Sequence, residues 1–470
     1  MIRSIRIPKL LFIASLPLLM ASCFSAKEYV RKEQTPLVEG YFRTDNLPQD
    51  SISMAIVPWK EMFTDPILQD YITEGLANNI DIRIALQQII AAEAYVKQGK
   101  AGFYPTLSAQ AQATHQEMSG NSQFGQITGG GAQDSYELAG NLSWEADIWG
   151  KIRSNKRAYQ AAYLQTAAAH KAVKTRLIAN IASTYYQLVA LDEQIDITEE
   201  TIMTRANGLE TTKALKDAGS VNEVAVQQTE AQLYTAQAIL LDLKNQSRLL
   251  ENTMSILLGE MPMVINRSPL ADQTIETELA TGVPAQLLSN RPDVIAAEFD
   301  LRNAFELTNV ARSNFYPSLT LSASGGLQSL EFDRLFDANS LFATLVGGLT
   351  QPIFNGRKIR TQYEVSQAQQ EQARLNFKQS ILMASKEVSD AMYSYETASR
   401  KIDIKQREYD AYSLATDYSE QLLDNGLANY LEVLRARENA LNSSLDVINA
   451  KNNRLQSIVD LYEALGGGWQ

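Results

Sequence analysis

The sequence predicts a mainly helical protein that also carries four amphipathic β-strands and consists of two tandem repeats. Short motifs recur at a nearly constant offset, four segments alternate apolar with polar residues, and long Ala-rich stretches without helix breakers fill most of the remainder. The chain has 470 residues, of which 45% are apolar and 20% charged, a composition typical of folded proteins.

The first 22 residues have the pattern of a secretory signal peptide. Three basic residues and no acid accompany an apolar stretch, Leu10–Ala21, which is too short to span a bilayer as a helix. The only cysteine, Cys23, follows Leu-Met-Ala-Ser, a sequence that resembles a bacterial lipobox. We therefore expect cleavage after Ser22 and a diacylglycerol on Cys23. The alternatives are an uncleaved anchor and an incidental cysteine.

Net charge argues against a nucleic-acid partner. The signal contains three of the 42 basic residues and none of the 54 acidic residues, so the mature chain has 39 basic against 54 acidic residues, or a net charge of −15. Such an excess repels phosphates and is compatible with a lumen of negative potential.

The repeats are visible as motif pairs. Phe-Tyr-Pro at 103–105 recurs at 315–317, an offset of 212, and Ile-Asp-Ile at 195–197 recurs at 402–404, an offset of 207. Gly219 and Asn222 likewise recur as Gly426 and Asn429. The register changes in a Gly/Ser/Asn-rich loop, Ser119–Gly131. We expect a signal peptide at 1–22, an N-terminal extension at 23–64, repeats at 65–260 and 284–470, and a linker at 261–283.

Each Phe-Tyr-Pro is followed by strand-like alternation. On the second predicted strand, apolar Tyr136, Leu138, Leu142 and Trp144 interleave with Glu137, Asn141, Ser143, Glu145 and Asp147, which we expect to face a lumen. The fourth, near Leu341–Ile353, is less regular because Phe342 and Val346 fall on the other phase. A soluble half-buried sheet would have the same period. Four strands cannot close a barrel, which needs about eight, so a membrane sheet requires several chains, and three would give twelve strands.

Long helices are predicted at Lys156–Lys216, Asn222–Leu258, Arg357–Leu423 and Leu427–Leu465, with heptad stripes of apolar residues. We expect each repeat to form a helical hairpin whose end lies near Leu191–Thr198 or Arg400–Arg407 and acts as a gate. The candidate gate residues are Asp196, Asp403, Arg400, Arg407, Glu408 and Tyr409. Alternatively, these are solvated charges without a gating role.

Catalytic motifs are missing from the sequence. The two histidines, His115 and His170, and the single cysteine are too few for an ordinary zinc site, and neither a Walker A loop nor a Gly-x-Ser-x-Gly elbow is present. The sequence therefore predicts no enzyme, no cofactor and no metal site.

The chain resembles the TolC-like outer-membrane factors, specifically the lipoprotein branch that serves resistance-nodulation-division pumps. The resemblance rests on the lipobox Cys23, the duplicated Phe-Tyr-Pro strands, Asp147–Lys151 (Asp-Ile-Trp-Gly-Lys), Gln351–Phe354 and the closing Tyr462–Trp469. It implies a homotrimer with a twelve-stranded β-barrel in the outer membrane, continuous with a long periplasmic α-helical barrel. It further implies a lipid anchor in that membrane and a closed periplasmic end that opens when an adaptor protein and an inner-membrane pump dock.

Two other functions remain open at this point. The same duct could serve type I protein secretion, although the lipobox and the Leu-Gly-Gly-Gly-Trp ending favour efflux of drugs or other small molecules. The chain could also be a coiled-coil lipoprotein scaffold with a soluble sheet and no transport role.

Overall fold

A computed structural model describes residues 26–30, 53–128, 130–273, 275 and 286–469. The helices are α1 (Trp59–Met62), α2 (Pro66–Asn78), α3 (Ile80–Ala101), α4 (Gln123–Thr128), α5 (Lys151–Asp217), α6 (Glu223–Leu258), α7 (Leu287–Asn290), α8 (Pro292–Ser313), α9 (Lys358–Asp424) and α10 (Tyr430–Ala464). The strands are β1 (Thr106–Met118), β2 (Gly131–Ala146), β3 (Ser318–Ser329) and β4 (Leu341–Thr350). Cys23 and the predicted signal peptide lie outside the described residues.

Equivalent elements of the two repeats recur at the offsets of the motifs. Helices α5 and α9 both have 67 residues and begin at 151 and 358, which are 207 apart. Helices α3 and α8 both have 22 residues and begin at 80 and 292, and strands β1 and β3 begin at 106 and 318, which are 212 apart in both cases. The tandem repeat is therefore confirmed as a repeat of structure.

The four strands form one antiparallel sheet in the order β1-β2-β3-β4. The central pair joins the two repeats, because Tyr136 to Ala146 of β2 pair in register with Ser329 to Leu319 of β3. The predicted fold class, mainly α with four membrane-type strands in each chain, is confirmed. Within the described ranges, none of the helices is both long enough and apolar enough to cross a bilayer.

The chain divides into two compact units. One includes the sheet with the adjoining helix ends, Ile90–Gln165 and Glu298–Asn376, together with residues 26–30. The other includes residues 53–89 and the described residues of 166–297 and 377–469.

The core of the second unit lies between α5 and α10. Tyr185 on α5 and Tyr462 on α10 are fully buried, and Phe63 meets the Tyr462 ring edge-on at 5.9 Å. The predicted heptad stripe of α10 supplies much of this core through Leu434, Leu441, Ile448, Leu455 and Val459, all of which are buried. Burial of this apolar stripe, more than helix propensity, holds such long helices in place.

Candidate channel-lining residues and hairpin turns

Four of the five predicted lumen residues share one polar face of the sheet. Directly opposed residues of antiparallel strands point to the same side, so the register identifies each face. Glu137 lies opposite Gln112 and Gln328, and Asn141 lies opposite Ser108 and Ser324. Ser143 and Glu145 continue this face, opposite Ser322 and Thr320 respectively. The result is a mainly polar surface of amide, hydroxyl and carboxylate groups, interrupted on β2 by Ala139.

The other face of the sheet is apolar and exposed in the single chain. Leu142 lies opposite Leu107 on one side and Ala323 on the other, and Ala323 in turn lies opposite Leu345. Leu107 and Leu345 are 76% and 72% exposed. A soluble half-buried sheet would cover such a row, whereas here it forms an apolar surface in need of an apolar environment.

Strand β4 keeps the irregularity that its sequence predicts. Its register places Val346 opposite Ser322 and Phe342 opposite Gly326, so both apolar side chains lie on the polar face. The strand ends at Thr350 rather than near Ile353.

Asp147 is not on the strand face, and its predicted position there is wrong. Strand β2 ends at Ala146, and the carboxylate of Asp147 accepts hydrogen bonds from the backbone N–H groups of Ile152 at 2.9 Å and Arg153 at 3.1 Å. Gly150 turns the chain with φ 75°, which brings the carboxylate to the first turn of α5, where amides have no helical partner. Asp147, only 9% exposed, therefore caps a helix.

The rest of the Asp147–Lys151 motif ties β2 to β3. The Trp149 ring stacks on Tyr316 with 4.8 Å between centroids, and its indole N–H donates to the Pro317 carbonyl at 2.7 Å. Lys151 pairs with Glu145 at 3.0 Å. The Asp147–Lys151 motif therefore has a structural role: it fixes β2 to β3 where the two repeats meet.

The predicted location of the hairpin ends is also wrong. Asp196 lies within α5 and Asp403 within α9, both exposed and both far from a helix end. Neither helix bends back, because no proline or left-handed glycine interrupts either one. A helix of 67 residues is about 100 Å long, about twice the reach expected for a folded hairpin.

The other predicted gate residues lie along the same part of α9. Arg400 pairs with Glu396 one turn earlier, at 2.5 Å. Glu408 contacts Lys405 at 2.7 Å, and Lys405 also reaches Asp446 of α10 at 2.8 Å. Arg407 is exposed, and Tyr409 is partly buried. The ion pairs of Arg400 and Glu408 thus connect neighbouring turns of α9, and Lys405 connects the middle of α9 to α10.

The true hairpin turns lie at residues 218–222 and 425–429. Both helices end in a left-handed glycine, Gly219 with φ 76° and Gly426 with φ 71°. In each turn, the residue after the glycine donates its N–H to a carbonyl five residues earlier, at 2.9 Å for Ser220 and 2.8 Å for Leu427. The side chains of Asn222 and Asn429 then cap the returning helices. The repeated Gly-x-x-Asn was the sequence signal for these turns.

A buried cluster of hydroxyl groups connects the two hairpins near their turns. The Tyr430 hydroxyl lies 3.0 Å from Thr212 Oγ1 and 2.7 Å from Thr229 Oγ1, so α10 is hydrogen-bonded to both helices of the first hairpin. Arg437 of α10 pairs with Glu420 of α9 at 2.7 Å. These contacts hold α10 against its neighbours at the turn end.

Charged groups deeper in the second unit are paired or desolvated. Arg267 bonds both Asp192 and Glu251, and Arg291 bonds Asp293 and Glu387. Burial raises the pKa of the Glu463 carboxyl to about 7, against the opposing pull of nearby arginines.

Within the described residues, no three His, Cys, Asp or Glu side chains converge as metal ligands.

Comparison with known proteins gives a consistent family assignment. The sequence profile of the outer membrane efflux protein family matches residues 71–260 and 283–467. The solvent efflux pump outer membrane protein SrpC of Pseudomonas putida is 30% identical over 424 residues, covering 90% of this chain and 89% of that protein. The probable outer membrane lipoprotein SilC of Salmonella typhimurium is 26% identical over 98% of this chain and 99% of that protein.

Solved structures share the fold of this chain. The outer-membrane channel OprN superposes with a TM-score of 0.86 at 22% identity, covering 94% of this chain and 99% of that one. The open MtrE channel of Neisseria gonorrhoeae gives a TM-score of 0.83 at 24% identity, covering 95% and 99%. The chain therefore belongs to the outer membrane efflux protein family and is an outer-membrane component of an efflux system.

Proposed function

We propose that three copies of this chain form one channel, in which the four strands of each copy contribute to a shared twelve-stranded barrel. The observation that carries this proposal is the sheet itself. In the described sheet β1 and β4 each have only one neighbouring strand, and the apolar face is exposed. Open edges in lipid leave N–H and C=O groups unpaired, at a cost of several kcal/mol for each group. Pairing β1 of one copy with β4 of the next removes every such edge.

In this arrangement the apolar face meets lipid, and the face that includes Glu137, Asn141, Ser143 and Glu145 lines the lumen. Its carboxylates favour cations in transit, and its hydroxyl and amide groups tolerate uncharged solutes. The duct is passive, and the energy comes from partners, namely a periplasmic adaptor and an inner-membrane pump of the resistance-nodulation-division type. The cargo is drugs or other small molecules, a class that includes the solvents in the name of the SrpC relative.

We infer that the closed end lies at the hairpin turns, residues 218–222 and 425–429, rather than at Asp196 and Asp403. The turns are where the chain reverses, and the Tyr430 cluster joins the two hairpins close to them. Breaking such ties allows a hairpin to swing outward, and a docking adaptor would supply the necessary energy.

The lipid anchor remains on Cys23 in this proposal, supported by the lipobox and by the lipoprotein relative SilC. Fatty-acid labelling of wild type and Cys23→Ser tests it, with label expected in wild type alone. Equal labelling of both proteins would contradict the lipidation of Cys23.

The conduit function is tested in cells that lack the gene. Their susceptibility to organic solvents and dyes should rise, and a wild-type copy should restore resistance. The purified protein should also give discrete conductance steps in planar bilayers. Unchanged susceptibility together with a silent bilayer would overturn the proposal.

A further inference from the structure

The segment just after the predicted anchor lies against α8. Its attachment point is Asn309, whose side chain bonds both backbone groups of Lys27. The Lys27 N–H donates to Asn309 Oδ1 at 3.2 Å, and Asn309 Nδ2 donates to the Lys27 carbonyl at 2.9 Å. The Asn309 side-chain amide thus pairs with the Lys27 backbone as a neighbouring β-strand would. The Lys27 side chain takes no part in these two bonds. Residues 26–30 are called the strap below.

The receiving surface is preorganised. Asn309 and Glu306 are each only 2% exposed, and the Glu306 carboxylate lies 3.3 Å from Asn309 Nδ2. Arg157 of α5 fixes that carboxylate with two hydrogen bonds, at 2.7 and 2.9 Å. Without the strap, the Asn309 amide would lose both hydrogen bonds to Lys27 and keep only its contact with Glu306.

Contacts on either side of Lys27 fix the direction of the strap. Tyr29 packs edge-on against Phe305 at 5.6 Å, and the Arg302 guanidinium lies 5.9 Å from the Tyr29 ring. In the other direction, the Ala26 methyl lies 3.2 Å from the point where a Cβ on Gly150 would stand. The strap therefore leads back toward the turn between β2 and α5.

We propose that the surface around Asn309, Glu306 and Arg157 is a docking site for the chain's own N-terminus, and that it positions the lipidated residue at the α5 end of β2. Cys23 stands three positions before Ala26, a distance of at most about 11 Å along an extended chain. The acyl chains would then enter the membrane beside the end of the sheet that carries Ala146 and Thr106. The proposal rests on the proposed lipidation of Cys23, and Asn309 is a positioning residue.

A disulfide reports docking directly. A Cβ built on Gly150 would stand 3.2 Å from the Ala26 Cβ, a few tenths of an ångström below the roughly 3.5–4.5 Å of natural disulfides, and a lipidated Cys23 offers no competing thiol. We expect Ala26→Cys with Gly150→Cys to cross-link in high yield. Adding Asn309→Leu should lower the ratio of cross-linked to free protein about tenfold, because two hydrogen bonds are lost. Lys27→Ala should leave the cross-linking yield unchanged, since Asn309 bonds only the backbone of Lys27.

Asn303→Leu is the matched control. Asn303 lies on the same helix but donates to the Ala158 carbonyl at 2.8 Å, away from the strap. It should leave the cross-linking yield unchanged. Equal loss in Asn303→Leu and Asn309→Leu would mean a general loosening of α8 and would overturn the proposal.

Because Gly150→Cys strains a left-handed position, a second measurement keeps Gly150 intact. Limited trypsin digestion should cleave after Lys27 slowly in wild type and about tenfold faster in Asn309→Leu. Equal cleavage rates would contradict docking. Fatty-acid labelling in parallel distinguishes docking of the strap from lipidation of Cys23. If Cys23 is labelled but the strap is not docked, only the docking proposal is overturned. If the strap is docked but Cys23 is not labelled, the lipid anchor is overturned, and with it the positioning role of Asn309.

Discussion

Gly150 and Arg357 occupy equivalent positions of the two repeats, 207 residues apart, and both have left-handed backbone, with φ 75° and 67°. Each directly precedes one of the 67-residue helices. Among the described residues, Arg357 is the one non-glycine with positive φ. The turn that starts each long helix thus requires the same backbone conformation, which only the first repeat meets with glycine.

This relationship predicts opposite responses to substitution. Gly150→Ala should lower the free energy of unfolding by about 1–2 kcal/mol, because a Cβ is disfavoured at this φ. Arg357→Gly should leave it unchanged or slightly higher, since it relieves strain and loses only an exposed ion pair with Glu364. Thermal unfolding of both variants in detergent measures this. Equal destabilisation by the two changes would contradict the equivalence.

The Tyr430 hydroxyl should act as a latch between the hairpins. Tyr430→Phe removes its hydrogen bonds to Thr212 and Thr229 at little change in volume, at a cost of about 1–2 kcal/mol. Single-channel conductance in planar bilayers should then rise. The control is Tyr234→Phe, which removes an exposed hydroxyl bonded to Glu230. If both variants conduct like wild type, the turn end is held shut by something else.

Strand β2 should tolerate charge on one face only. Leu142→Arg places a cation on the apolar face at a cost of about 2–4 kcal/mol at mid-membrane, and it should block assembly. Ser143→Arg should assemble but lower the preference for cations. Heat-modifiable mobility on gels reports assembly, and reversal potentials report selectivity. The reverse ranking would mean that the two faces are assigned the wrong way round.

Glu463 should make stability depend on pH. Burial raises its folded pKa to about 7 from an ordinary value of 4.5, so the folded chain retains this proton where the unfolded chain has released it. The contribution of Glu463 to the free energy of unfolding is therefore largest below the unfolded pKa. It declines as the pH rises toward and past 7. Glu463→Gln should therefore raise the melting temperature more at pH 8.5 than at pH 5. Exposed Glu432→Gln is the control. If Glu463→Gln changes the melting temperature equally at both pH values, the raised pKa of the buried carboxyl is contradicted.

The elements were readable from the sequence because their signals are local. Alternation predicted the polar and apolar faces of β2, and breaker-free heptads predicted the long helices to within a few residues of their observed ends. The prediction of the hairpin ends is wrong because the repeated Ile-Asp-Ile marks equivalent positions inside two continuous helices, whereas Gly219 and Gly426 mark the turns. Strand alternation alone places Asp147 on the polar face, whereas Gly150 shortly after it indicates a turn into a helix.

The buried polar contacts could not be predicted, since they join residues far apart in sequence. Asn309 and Lys27 are 282 residues apart, and Tyr430 and Thr212 are 218 residues apart. No periodicity or motif relates such pairs, and only the packed helices bring them together.

The most direct test of the channel account is the number of chains in the particle extracted from outer membranes. Native mass spectrometry in mild detergent should give the mass of three copies, because four strands per chain need three chains to close twelve. A monodisperse monomer that still conducts in planar bilayers would contradict the account.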